Sequence, residues 1–288
     1  MRDEAEHKAD SEPVEVGARR CRDAAGVRAF FRVFFVGGLI AYRALFNWIR
    51  PAVYIPTMLI GPLFQILFFA YLGRYSGLES DAFFVVGNAV QSSAMSSVFA
   101  GTMAIANERQ FQTLSPLLAT PANRFAIFMG RSLPVIVSGL AVSAWGFVMG
   151  RLLLHFHPPL SSIPALALVT LVSVVSGTAF GLTIGSVGMR ARDVFMSANV
   201  AYYIMWLLCG VNIPLDSLPG WLSQIGRLMP LTHGIAAARK IAAGASLSSV
   251  STLLWKEALI GACYFLAAYL LLRVFEAEGR RRASLELV

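Results

Sequence analysis

Lysine is nearly absent from this chain. Lys8, Lys240 and Lys256 are its only lysines, and none follows a glycine-rich turn. A phosphate-cradling loop of the form GxxxxGK[ST] needs a lysine at the β- and γ-phosphates, so the chain has no means of hydrolysing ATP by itself. Cysteine is equally rare. Cys21, Cys209 and Cys263 are too few and too scattered for a disulfide framework or a paired-cysteine metal site. Cys209 and Cys263 lie in apolar runs and read as small packing residues. The patterns HExxH and GxSxG do not occur, which removes two common hydrolase readings. His155 and His157 form an HxH followed by Pro158 and Pro159, a solvated turn rather than a metal site.

Apolar surface is abundant. Of the 288 residues, 57% are hydrophobic and 14% charged, and the mean hydropathy is +0.65. That balance belongs to a polytopic membrane protein rather than a soluble domain. The net charge of +8 then reports topology and contact with anionic lipid, not nucleic acid. Residues 1–26 are polar, carry seven acids and contain no apolar signal-peptide core. They are expected to form a disordered cytoplasmic tail, with insertion relying on internal spans.

A spanning helix needs about 20 mainly apolar residues. Six runs qualify: 53–72, 83–106, 126–150, 164–187, 194–211 and 253–272. They lack the alternation of barrel strands. With both termini inside, the cytoplasmic pieces hold 18 Lys and Arg and the outer pieces six, so the charge bias places both termini in the cytoplasm. The segment 27–50 is apolar too, but only ten residues separate Arg32 from Arg43. On a helical wheel Arg28, Arg32, Arg43 and Arg50 fall within an arc of about 60°. An apolar helix with one basic stripe lies in the membrane interface, and that is the expectation here.

The first five runs hold no Asp or Glu in their apolar cores. Arg131 and Asp193 lie at the inner boundary, and Lys256 and Glu257 in the first turn of the sixth run, on the outer side. Ion-coupled carriers keep carboxylates or histidines at depth, which weakens that reading. A transport chain with neither device needs an energised partner, and residues 107–124 break the apolar pattern at a cytoplasmic loop. Phe111, Leu114, Leu117 and Leu118 follow helical spacing and Pro121 ends it.

This loop resembles the signature of membrane subunits of type-2 ABC exporters, the daunorubicin-resistance and polysaccharide-export permeases. Their first cytoplasmic loop reads approximately ERExGTLExLLxTP, followed by Gly and a basic residue. The chain has Glu108, Arg109, Thr113, Leu114, Leu117, Leu118, Thr120 and Pro121, then Gly130 and Arg131, and departs at Gln110, Gln112 and Ser115. A second match follows the fifth run, where the family has SGxxxPxxxLPxWLxxxxxxxPLTxxxxxxR. Here Gly210, Pro214, Leu218, Pro219, Trp221, Leu222, Pro230, Leu231, Thr232 and Arg239 are in register, with Cys209 for the opening serine.

The resemblance implies an all-α integral membrane fold over residues 51–275, with a cytoplasmic tail at 276–288. It implies six spans, an interfacial helix at 27–50, a cytoplasmic coupling helix between spans 2 and 3, and short re-entrant helices in the outer leaflet before the last span. Glu108 to Pro121 would dock on a separate ATP-binding subunit, present in two copies. ATP and magnesium would reside there, with no cofactor on this chain. A second permease subunit, identical or not, would complete the complex in a bacterial cell membrane. Pro214, Pro219, Trp221, Pro230 and Thr232 would form an outer gate.

Gly177, Gly181 and Gly185 make a small-residue stripe suited to close helix approach, within the chain or between subunits. Phe64, Phe68, Tyr202, Tyr203 and Trp206 are candidates for a path taken by a lipophilic or amphipathic cargo, and equally for plain packing. The expected function is export of such a cargo. The alternatives are an ion-coupled carrier and a membrane scaffold or immunity protein that transports nothing.

Overall fold

The computed structural model describes residues 32, 35–39, 51–77, 80–110, 124–188 and 193–282, and every regular element among them is helical. The long helices are α1 (Pro51–Ser76), α2 (Asp81–Gln110), α3 (Arg124–Leu154), α4 (Ile163–Gly188), α5 (Val194–Leu208) and α8 (Ser251–Arg282). Between α5 and α8 come two short helices, α6 (Gly220–Leu228) and α7 (Thr232–Ala242). Each of the six apolar runs coincides with one long helix.

Among the described residues, four stretches are long and apolar enough to cross a membrane: Asp81–Ala104, Ser132–Leu154, Leu160–Gly188 and Leu247–Val274. The first and fifth runs correspond to shorter apolar helices, Leu59–Tyr75 and Val194–Leu208. The fifth run stops short of residue 211 for a local reason. Gly210 adopts φ +71°, in the left-handed region that ends helices, and the carbonyls of Gly210 and Val211 are engaged elsewhere.

The bundle is built around α2, whose apolar window is 78% buried, against 17% for that of α8. Its neighbours are α1, α3, α4, α5 and α7. Its interior is unusually polar: Asn88, Gln91, Ser92, Ser93, Ser96, Ser97 and Thr102 are all buried. Small hydroxyl residues serve here as backbone surrogates. Ser92 donates to the Asn88 carbonyl at 2.7 Å and Ser93 to that of Val90 at 2.6 Å, which satisfies those hydroxyls, whereas the buried Gln91 amide has no hydrogen-bond partner among the described residues.

The glycine stripe of α4 packs inside the chain. A Cβ on Gly177 would come 2.7 Å from Ser97 Oγ, one on Gly181 2.7 Å from the Val98 carbonyl, and one on Gly185 2.7 Å from the Thr102 carbonyl. Gly101 answers from α2, where a Cβ would lie 3.0 Å from the Thr178 carbonyl. The backbones therefore touch, and Thr102 Oγ1 crosses the seam to the Gly181 carbonyl at 3.1 Å. On the other side of α4, Thr183 Oγ1 donates to the Tyr264 carbonyl of α8 at 2.9 Å.

Of the basic amphipathic segment, residues 32 and 35–39 are helical. Arg32 is exposed, and Gly38 lies against Gly130 and Leu133 of α3. Arg28, Arg43 and Arg50 lie outside the described residues.

Candidate functional site

The second motif becomes a built structure at one end of the bundle. Pro214 and Pro219 each stand at the N-terminal edge of a short helix, a 3-10 turn over Leu215–Ser217 and then α6. Proline suits that position because its missing N–H would have no helical partner. After α6 the chain turns through Met229, Pro230 and Leu231 into α7. Pro230, Leu231 and Thr232 are buried, whereas Trp221 is 65% exposed. Thr232 Oγ1 donates to the Gly226 carbonyl at 2.7 Å, tying the start of α7 to the end of α6. The thiol of Cys209 donates to the Pro230 carbonyl at 3.1 Å.

Two charged side chains hold this helix pair. Leu231, the residue before α7, has φ +71° and no side chain able to cap a helix. A left-handed non-glycine residue costs about 1–2 kcal/mol, and the first N–H groups of a helix need acceptors. Glu257, reaching across from α8, supplies them. Its Oε1 accepts from the Leu231 N–H at 2.7 Å and its Oε2 from the Gly234 N–H at 3.1 Å. The negative charge also faces the positive end of the α7 dipole.

At the other end of α7, Arg239 does the reverse. Its guanidinium donates to the carbonyls of Gly210 at 2.8 Å, Val211 at 2.7 Å and Phe83 at 3.2 Å, and sits 3.4 Å from the centroid of the Phe83 ring. The approach needs Gly87, where a Cβ would come 2.6 Å from Arg239 Nη2. A second tie lies beside it: Gln65 donates to Asn88 at 2.9 Å and Asn88 to Asn212 at 2.8 Å. Through these contacts α1, α2, α7 and α8 all grip the segment between α5 and α7.

Glu257 corrects a sequence expectation. The apolar run 253–272 puts it with Lys256 in the first turn of the last span, on the outer side. Lys256 is exposed, but Glu257 has no exposed surface, and it stands in the second turn because α8 begins at Ser251. Depth along an apolar run says nothing about what packs beside it, and here the α6–α7 turn covers the carboxylate. The available signal was an acid inside an apolar helix, combined with a helix start at Leu231–Thr232 that has no capping residue of its own before it.

The remaining candidates are less closely joined. Glu108 and Arg109 fall in the last turn of α2, and Thr113, Leu114, Leu117, Leu118, Thr120 and Pro121 lie outside the described residues. Among the aromatics, Phe64, Phe68 and Tyr203 are exposed, at 65%, 62% and 60%. Phe68 meets Phe69 edge-on, Phe69 meets Trp206, and Tyr202 bridges Phe99 and Tyr203, so α1, α2 and α5 share one aromatic surface. His155 and His157 are exposed, and His157 Nδ1 lies 2.6 Å from the His155 carbonyl, within the turn itself.

A helical bundle with membrane-crossing helices, a glycine seam and a clamped pair of short helices before its last long helix defines a class of polytopic permease. The family model of the ABC-2 type transporter matches residues 38–242, and the chain belongs to that family. It is 28% identical over 181 residues to the probable multidrug ABC transporter permease YbhR of Escherichia coli K12, covering 60% of this chain and 47% of that protein. It therefore spans about half the length of that relative. Against the probable doxorubicin resistance ABC transporter permease protein DrrC of Mycobacterium tuberculosis H37Rv it is 25% identical over 254 residues, covering 84% of this chain and 87% of that protein.

Proposed function

We propose that the chain is the membrane subunit of an ATP-driven exporter for a lipophilic or amphipathic cargo. The observation that carries this reading is the clamped α6–α7 pair, a broken helical segment held at one end of a bundle of membrane-crossing length. Irregular backbone at membrane depth is tolerated only where protein or a cavity surrounds it, and such a segment can close or open a path without remodelling the long helices. Family membership and the names of the drug-export relatives point the same way. With no phosphate-binding loop in the sequence, the energy has to come from an ATP-binding partner, two copies of which would dock at Glu108 to Pro121. Six spans, both termini in the cytoplasm and a second permease subunit complete the arrangement. The aromatics of α1 and α5 would then face the cargo or the second subunit.

Isolation from gently solubilised membranes tests the partner. An ATP-binding chain carrying a GxxxxGK[ST] loop should accompany this one in near-equal amount. Recovery of an assembled, cargo-transporting complex without such a chain would defeat the reading. Topology is checked separately: a cysteine replacing Ser217 should label with an impermeant reagent from outside intact cells, and one replacing Ser284 should not.

A further inference from the structure

Between α3 and α4, beside the turn that connects them, lies a cavity of about 670 Å³. That volume is within the range of about 300–1,000 Å³ usual for small-molecule sites. Fourteen residues line it, and only Ser143, Thr170 and Arg151 carry a polar side-chain group. Phe156 and Leu166 are buried in its wall, while Val148 and Leu168 are exposed on the outside of the bundle. Both helices are long and apolar enough to cross a membrane, so an opening between aliphatic side chains at this place faces hydrocarbon rather than water.

One observation narrows the occupant. Arg151 stands exposed in the last turn of α3 and has no salt bridge among the described residues. It is the one charged residue in a lining that is otherwise apolar except for Ser143 and Thr170, whose hydroxyl oxygens are buried away from the accessible space. A cation at one end of a groove of aliphatic side chains, on a helix of membrane-crossing length, matches an anionic phospholipid: phosphate at the arginine and acyl chain along the apolar wall.

We propose that this cavity is a binding site for one anionic phospholipid, with an acyl chain in the apolar groove and the phosphate on Arg151. None of the residues of α1, α5, α6 or α7 lines it, so it is separate from the exporter's proposed gate and aromatic surface. The inference stands whether or not the chain exports anything.

The full chain, purified in mild detergent with an equal mixture of phosphatidylglycerol and phosphatidylcholine of identical acyl chains, is read by native mass spectrometry. One phosphatidylglycerol is retained in about fivefold preference, the size expected for one arginine at an anionic headgroup. Arg151→Gln removes the preference and leaves the thermal melting midpoint in place. Ala144→Phe fills the groove and removes the bound lipid altogether. A photo-crosslinking residue at Ala144 in membranes labels phospholipid. Equal retention of the two lipids by the unmodified chain overturns the proposal. So does a preference that survives Arg151→Gln, or crosslinking at Ala144 to another protein chain instead of lipid.

Discussion

The α2–α4 seam and the α6–α7 clamp solve the same problem with opposite means. In both, backbones must approach closely away from water. At the seam the solution is subtraction: Gly101, Gly177, Gly181 and Gly185 leave the space in which two carbonyl-lined surfaces meet. At the clamp the solution is addition: Glu257 and Arg239 bring charge to helix ends and free carbonyls that no local residue satisfies. At a seam made by subtraction, each added atom forces the two backbones apart. A clamp made of two side chains can be released and re-formed, which would suit the gate proposed above.

The difference can be broken most severely at the seam. Gly181→Leu should abolish folded protein, since even a Cβ there falls 2.7 Å from the Val98 carbonyl and 2.9 Å from that of Ser97. Gly181→Ala should survive but lose about 1–3 kcal/mol, the usual cost of overpacking. Fluorescence-detected size-exclusion chromatography after graded heating measures both. A Gly181→Leu variant that melts with the parent would mean the seam is looser than described.

Next in size comes Glu257→Ala, which strands the Leu231 and Gly234 N–H groups at about 1–3 kcal/mol each. It should lower the melting midpoint and release α7, seen as proteolysis between Leu228 and Thr232. Glu257→Gln retains one carbonyl acceptor and should fall between the two. Arg239→Lys keeps the charge but loses the planar fork that reaches several carbonyls at once. It should cost less than Glu257→Ala in stability while still impairing transport. If both clamp variants melt and resist protease like the parent, the clamp is not what holds the pair.

The smallest effect is expected at His233. Burial lowers its pKa from the usual 6.5, with the Arg227 carbonyl opposing and the charges of Lys256 and Arg227 adding to the shift. Its Nε2 lies 3.1 Å from the Arg227 carbonyl and serves as donor while the ring is neutral. A depressed imidazole pKa means the folded state binds fewer protons than the unfolded one, so stability falls as pH drops through about 6.5 and below. Replacement by Gln should flatten that small slope in the melting midpoint between neutral and mildly acidic pH.

The seam and the clamp also differ in how far the sequence announced them. Gly177, Gly181 and Gly185 are legible as a contact stripe because spacing alone fixes a helical face; which surface they meet is not, since nothing in the run names α2 as the partner. The motif from Cys209 to Arg239 shows where a broken segment lies. It does not show that Arg239 reaches back to Gly210, or that Glu257 caps α7 across 23 residues of chain. Those are long-range contacts, and residue patterns record periodicity and turns far better than pairings between distant helices. The long helices were readable for the opposite reason: an apolar run of spanning length has few ways to satisfy its own backbone.

The proposed function turns on ATP, not an ion gradient, driving transport through residues 108–121. Inverted membrane vesicles containing the chain and its ATP-binding partner, offered a panel of fluorescent lipophilic and amphipathic compounds, test it most directly. ATP with magnesium should produce uptake that persists when proton and sodium gradients are collapsed. Glu108→Ala should abolish the uptake at equal membrane levels. Uptake that needs a gradient and ignores ATP, or that is unchanged in the Glu108→Ala variant, would contradict the account.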